Sequence, residues 1–367
     1  TLAYEFDNAA VMAEAFTDKI KAPDYSRVEN PTVTNLERRV AALTDAAHAT
    51  AFNSGMAAIS NTLMALAAQG KNIVTSKHLF GNTYALLVAT LRRFGVKVRL
   101  RDLTNIEAVR EAIDDDTCCV FLEILTNPQL EVADLKAISE VAHEKNVPLV
   151  VDSTVIPFTQ FSAKSLGVDI EVVSSSKYVS GGATSLGGLV IDYGTPYNGD
   201  FAKRLYGEML FNFGAYMTPQ VAYMQTIGLE TLDARYRVQS SNALELAKKL
   251  RSLPQIKLVN YVGLEDNPYH ELAQRQFGKT AGAMICIDLE SKEACFSFLN
   301  NLKLIHRATN LFDNRSLAIH PASTIFGAFS ESMRKSMDVK DTTIRLSIGL
   351  EDVDDLFEDI KQAVDSL

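Results

Sequence analysis

The sequence predicts an α/β protein: a mostly parallel sheet in a large domain, followed by a smaller α+β domain. Two patterns carry this reading. Across residues 49–191, short apolar runs alternate with helical ones, and repeated strand–helix units imply a parallel sheet covered on both faces. Beyond a long helical stretch at 221–250, strands at 257–262, 283–289 and 343–348 mix with helices at 292–302 and 352–367. A chain of 367 residues is long enough for both parts. The expected organisation is an arm at 1–29, a ligand-binding domain at 30–218 and the α+β domain at 219–367.

Composition excludes several classes. Hydrophobic residues make up 47% and charged residues 22% of the chain, values of a soluble globular protein. A net charge of −9 without a basic run argues against nucleic acid or an anionic membrane as partner. No apolar window nears the ~20 residues that span a bilayer. No secretory leader pattern opens the sequence, so a cytoplasmic setting is expected. Cys118, Cys119, Cys286 and Cys295 lack metal-ligand spacing, and the histidines form no His-x-x-x-His pair, so no metal centre is expected.

Taken in order, the arm ends in Tyr25-Ser26-Arg27, then Asn30-Pro31-Thr32. Read as extended, it puts Tyr25 and Arg27 on one side, a phosphate grip; a plain surface arginine is the competing reading. Thr32 or Thr34 is expected to cap a helix from about 35 to 43. A strand then leads through Ser54-Gly55-Met56 into a helix over 57–68. That turn aims free N–H groups at an anion, and Gly55 permits close backbone approach, although many such glycines serve geometry alone.

The alternation continues with a strand at 72–76, a turn at 78–83, a helix at 84–93, a strand at 96–100 and a helix at 106–113. A strand at 117–125, a helix at 135–144 and a strand ending at Asp152 follow. Another apolar run, 169–173, leads to Ser174-Ser175-Ser176-Lys177-Tyr178 and paired glycines. Phe80, Glu123, Asn127, Asp152, Ser174, Ser176 and Lys177 thus fall near carboxyl ends of strands, where open α/β sheets bind ligands. A carboxylate and an amine so placed suit pyridoxal phosphate (PLP), the amine forming the Schiff base and the carboxylate holding the pyridine nitrogen protonated. After a strand at 189–191, residues 192–213 read as polar and interrupted, and the long helix as softly broken at Gly228. In the last domain, Arg345 lies on an apolar strand, where its head needs a partner. A substrate carboxylate and an internal acidic residue are the two candidates.

These segments together resemble the Cys/Met-metabolism family of PLP enzymes, of fold type I. The resemblance rests on Tyr25-Ser26-Arg27 with Asn30-Pro31-Thr32, Ser54-Gly55-Met56, Glu123 with Asn127-Pro128, and Val151-Asp152-Ser153-Thr154. It continues through Ser174 to Tyr178, His320-Pro321-Ala322-Ser323 and Arg345 to Glu351, so it covers nearly the whole chain. It implies that Lys177 carries the cofactor and Asp152 pairs with the pyridine nitrogen. Gly55, Met56, Ser174 and Ser176 would hold the phosphate, and Ser54, Glu123 and Thr154 would be further cofactor-binding residues. Asn127 would meet the ring hydroxyl and Phe80 the ring face. Ser323 and Arg345 would take the substrate carboxylate. Tyr25 and Arg27 would serve a neighbouring subunit, making the active unit a dimer, commonly in a dimer of dimers.

Within the family, 211–215, 228–232, 259–261 and 316–323 are most similar to O-acetylhomoserine sulfhydrylases. Methionine γ-lyases typically carry tyrosine at the ring-face position and cysteine two residues later, where this chain has Phe80 and Asn82. Without that hydroxyl, proton transfer falls to Lys177, helped by a neighbour's Tyr25. The implied reaction is γ-replacement of an activated homoserine by sulfide or a small thiol. Elimination by a methionine γ-lyase or cystathionine lyase, and a non-catalytic protein that keeps the fold, are the alternatives.

Overall fold

The computed structural model describes residues 1–367. Seven strands form the first sheet: β1 (His48–Phe52), β2 (Asn72–Ser76), β3 (Lys97–Arg101), β4 (Thr117–Glu123), β5 (Leu149–Asp152), β6 (Ile170–Val173) and β7 (Gly188–Asp192). Their order is β1-β7-β6-β5-β4-β2-β3. β3, β2, β4, β5 and β6 run parallel, while β7 is antiparallel to β6 and β1. The mostly parallel sheet expected from the alternation is present. Side chains along β4 alternate between its faces: Val120 and Leu122 join one buried apolar cluster, and Cys119 and Phe121 the other. Both faces are therefore covered, which is why these strands read as unbroken apolar runs.

The second sheet comprises β8 (Leu258–Asn260), β9 (Met284–Asp288), β10 (His306–Arg307), β11 (Leu317–Ile319) and β12 (Thr343–Ser347). Its order is β10-β11-β12-β9-β8, antiparallel except for β10 with β11. β12 is central, with Arg345 opposite Ile319 on one side and Cys286 on the other. Ile344 and Leu346 join the core that contains Leu356 and Ile360 of the C-terminal helix. Period-two alternation therefore turns Arg345 to the other face of the strand. No helix is long and apolar enough to cross a membrane.

Several expected boundaries shift for identifiable reasons. The first long helix is Pro31–Thr44 rather than 35–43: Asn30 caps it by accepting from the Thr32 N–H at 3.0 Å, and Pro31 occupies the first helical position. Proline suits that position because its missing N–H would have no helical acceptor. The helix expected at 84–93 is one α turn (Gly81–Ala85) that widens at Leu86–Thr90 and tightens at Leu91–Phe94. Residues 201–213, read as interrupted, are helical throughout, although wide-turned over Leu205–Leu210. A helix at His270–Phe277 and the short strands β10 and β11 were not expected.

The expected break at Gly228 is absent. Helix Pro219–Glu230 runs through it and ends at Thr231, where Leu232–Leu250 begins. Gly228 instead lets this helix touch the lysine turn. A Cβ at that position would stand 2.2 Å from the Val179 carbonyl oxygen and 2.6 Å from the Gly181 nitrogen. Both are backbone atoms that cannot swing aside. Gly228→Ala should therefore lower stability by about 1–3 kcal/mol, the usual cost of overpacking, although alanine is the better helix former. Thermal unfolding of the variant checks this; an unchanged or raised Tm contradicts the contact.

Candidate active site

Three parallel strands deliver the acidic side of the site. Glu123 ends β4 and Asp152 ends β5, and the two are paired in register, with Asp152 in turn opposite Val172 of β6. In-register neighbours share a face of the sheet. Burial pushes the Glu123 carboxyl up to about 8, reinforced by the charge of Asp152. Burial also raises Asp152, opposed by hydrogen bonds from Thr154, whose N–H donates to Oδ1 at 2.9 Å. Two carboxyls this close resist double ionisation. The Glu123 side chain also ties two loops together: it accepts from the Phe80 N–H through Oε1 and from the Asn127 N–H, at 3.2 Å, through Oε2.

The lysine turn follows β6. Lys177 is half-buried, and its Nζ donates to Asn310 Oδ1 at 2.7 Å. Burial first, then the positive charge of Arg345, pulls its amine down to about 8. An amine tuned to that range exchanges protons near neutral pH. The turn is fixed from below by Ser176, whose hydroxyl donates to the Gly187 carbonyl at 3.2 Å and accepts from the Gly187 N–H at 2.9 Å. The phosphate role expected for Ser176 thus falls on a hydroxyl already engaged with the chain. Ser174 differs: only its backbone is tied, its N–H donating to Thr154 Oγ1 at 2.8 Å.

Opposite Ser174 begins the helix Gly55–Leu66, capped by Ser54, whose Oγ accepts from the Ala57 N–H at 3.1 Å. The N–H groups of Gly55 and Met56 have no acceptor along the helix. A Cβ on Gly55 would lie 2.6 Å from Ser174 Cβ, so only glycine leaves that end open beside the serine. Free amides, the positive end of the helix dipole and a serine side chain make an anion cradle.

The second sheet supplies Arg345. Its side chain is 2% exposed, yet no carboxylate pairs with it. Nη1 donates to Asn127 Oδ1 at 3.1 Å, Nη2 reaches the carbonyls of Thr309 and Asn310 at 3.4 and 3.3 Å, and Nε has no partner. Burial lowers this guanidinium to about 10. The internal acidic partner considered for it is absent, which leaves an external carboxylate. Ser323 is exposed and shares a 2.8 Å hydrogen bond with His320 Nδ1.

Tyr25 and Arg27 have no hydrogen bond to this constellation. The segment is a turn, not the extended arm expected, since the Val28 and Glu29 N–H groups both donate to the Tyr25 carbonyl, at 2.9 and 3.0 Å. Arg27 Nη1 donates to the Phe211 carbonyl at 2.6 Å, and its guanidinium lies 5.5 Å from the ring centres of Tyr25 and Phe211. Arg27 lines a separate cleft of about 670 Å³ with Glu37, His48 and Tyr206.

Asn310 was missed. It touches both Lys177 and Arg345, yet lies in an irregular segment whose residues carry no periodicity or turn signature. Glu171 was missed as well: it is wholly buried and bonded by the hydroxyls of Ser153 and Tyr193, with burial raising it to about 7.

A buried amine, a paired carboxylate, an open anion cradle and an unpaired guanidinium fit a phosphorylated pyridine aldehyde and an amino acid beside it. The sequence profile described as Cys/Met metabolism PLP-dependent enzyme matches residues 1–365. An L-methionine gamma-lyase of Fusobacterium nucleatum subsp. polymorphum is 37% identical over 371 residues, covering 100% of this chain and 92% of the relative. A Campylobacter jejuni protein described as an O-acetylhomoserine (thiol)-lyase, solved with N'-pyridoxyl-lysine-5'-monophosphate, superposes with a TM-score of 0.95 at 34% identity, covering 100% of this chain and 94% of that one. An O-acetylhomoserine sulfhydrylase of Wolinella succinogenes gives 0.82 at 43% identity, covering 91% and 96%.

The raised Glu123 carboxyl has a consequence for stability. A carboxyl moved from 4.5 to about 8 holds its proton in the folded state, so its contribution is complete below the unfolded value and is lost as pH rises through 8. Glu123→Gln cannot titrate. The variant should start less stable, because its NH2 cannot accept from a backbone N–H, but lose less Tm than the parent between about pH 5 and 9. Parallel melting curves of equal slope against pH would contradict a protonated Glu123.

Proposed function

The chain belongs to the Cys/Met metabolism PLP-dependent enzymes, and on that premise we propose that it catalyses γ-replacement on O-acetyl-L-homoserine. Sulfide or a small thiol is the nucleophile, and homocysteine or methionine the product. The observation that carries an amino-acid substrate is Arg345, a buried guanidinium with no internal anion, close to Lys177 through Asn310. For replacement over elimination, the support is the 43% identity to a sulfhydrylase and the absence of a hydroxyl at Phe80.

PLP, when bound, supplies an electron sink for carbon–hydrogen cleavage next to the amino group. Gly55, Met56 and Ser174 would hold its phosphate, Asp152 its pyridine nitrogen and Lys177 its aldehyde carbon. Burial disfavours the Asp152 carboxylate, and a protonated ring nitrogen beside it restores the charged form. Arg345 takes the substrate carboxylate in a fork of two hydrogen bonds, fixing which face of the amino acid meets Lys177. Lys177 Nζ then removes the protons on Cα and Cβ, acetate leaves Cγ, the sulfur nucleophile adds there as its own proton goes to acetate or solvent, and both protons are returned, one to Cβ and one to Cα. Asn310 Oδ1 holds that amine in place while it is neutral or charged, since it only accepts.

Elimination from methionine is the second reading, supported by the 37% identity to a methionine gamma-lyase. Rates on O-acetyl-homoserine with sulfide, set against rates on methionine alone, separate the two; faster turnover of methionine overturns the first. Arg345→Ala should raise KM for the amino acid by about 30-fold or more, as loss of a buried charged partner does. An unchanged KM would remove Arg345 from substrate binding.

We also propose that the active unit is at least a homodimer, in which Tyr25 and Arg27 serve the partner's phosphate. Phe213, Tyr223 and Ile227 are 57, 62 and 50% exposed and Tyr25 is 42% exposed, apolar surface that a second copy would cover. The four free cysteines suit the cytoplasm expected from the sequence. Mixing inactive Arg27→Ala and Lys177→Ala subunits should restore activity in hybrid dimers, each hybrid keeping one intact site. No recovery after subunit exchange would confine each site to one chain.

A further inference from the structure

One segment of the second sheet's surroundings grips the lysine turn at every second residue. Asn310 accepts from Lys177 Nζ at 2.7 Å, the Phe312 ring stacks on Tyr178 with centroids 4.1 Å apart and planes 12° from parallel, and Asn314 Nδ2 donates to the Gly181 carbonyl at 3.2 Å. The middle contact is unusual. Phe312 is wholly buried with φ at +56°, a left-handed conformation that bulky side chains rarely adopt. A glycine would sit there without strain, so something must hold the ring in place. Its N–H donates to Ser347 Oγ at 2.7 Å, on the strand that carries Arg345, and the neighbouring Asp313 carbonyl accepts from Gln239 at 2.7 Å. Tyr178 also meets Tyr236, edge-on with centroids 5.1 Å apart.

We propose that Phe312 is a positioning residue for Lys177: its ring, clamped flat against Tyr178, sets the turn so that the lysine amine meets Asn310 and stays shielded from water. A stacked aromatic pair has one preferred relative plane, which an aliphatic side chain of similar bulk does not impose. The ring therefore fixes orientation as well as filling space. The inference rests on Lys177 bearing the cofactor, and loss of visible absorbance in Lys177→Ala tests that premise separately.

Phe312→Leu keeps apolar bulk and the left-handed backbone but removes the flat face, whereas Phe312→Tyr keeps the face. In the holoenzyme, the pH midpoint of the cofactor's visible absorbance reads the lysine's surroundings without turnover. Phe312→Leu should move that midpoint by roughly half a pH unit or more and lower kcat by about fivefold or more, with KM changed by less than about twofold. Phe312→Tyr should restore both. A Phe312→Leu holoenzyme with the parent's midpoint and kcat, whatever its Tm, would reduce Phe312 to core filling. If that variant does not fold, Tyr178→Leu tests the stack from the other side: a shifted midpoint supports the proposal and an unshifted one overturns it.

Discussion

A guanidinium that is 2% exposed and has no anion beside it is the constraint on which the site depends. Burying a charge without a partner costs several kcal/mol even after relaxation. Arg345 offsets part of this with one amide and two carbonyl oxygens, and its Nε is left without any acceptor. Lys177 and Asp152 carry the same kind of burden: burial pulls the amine to about 8 and pushes the carboxyl up. Three ionisable groups, each disfavoured in its charged form, are linked through Glu123, Asn127 and Asn310. A ligand that brings a carboxylate to Arg345 and a cationic nitrogen to Asp152 relieves both at once, so binding strength comes from penalties stored in the fold.

That arrangement requires a scaffold able to hold it. The parallel strands β4, β5 and β6 end level with one another, which sets Glu123 and Asp152 side by side. Gly228 lets a helix lie directly on the lysine turn, and Gly55 lets another begin against Ser174. Phe312 adds a third brace at some local expense. Left-handed backbone costs a non-glycine residue about 1–2 kcal/mol, against about 1.5–3 kcal/mol gained by burying its ring. The two sheets are thereby joined through the site itself: Arg345 from β12 donates to Asn127 beyond β4, and Asn310 accepts a hydrogen bond from Lys177 beyond β6.

Much of this was legible in the sequence because the first sheet is buried on both faces. Strand β2 was bounded correctly at 72–76: all five residues are buried, its β-branched Ile73, Val74 and Thr75 read as a strand, and a polar turn closes it. Lys177 and Asp152 stood out as charges that end such blocks. The second sheet was harder, because β10 and β11 are two and three residues long and leave almost no periodicity. Gly228 was misread, since a glycine needed for close packing looks in sequence like one that breaks a helix. Asn310 and Glu171 escaped notice for opposite reasons. The first is placed by long-range contacts alone, and the second is an acid inside a strand whose hydroxyl partners, Ser153 and Tyr193, lie far apart in the chain.

The assignment of Lys177 is tested most directly by treating the yellow holoenzyme with borohydride, digesting it and locating the fixed pyridoxyl group by mass spectrometry. The expected result is a single modified peptide containing Lys177, with the absorbance lost in step with labelling. A label on any other lysine, or a stable protein that takes up no pyridoxyl group at all, would contradict the placement of the chemistry between β6 and Arg345.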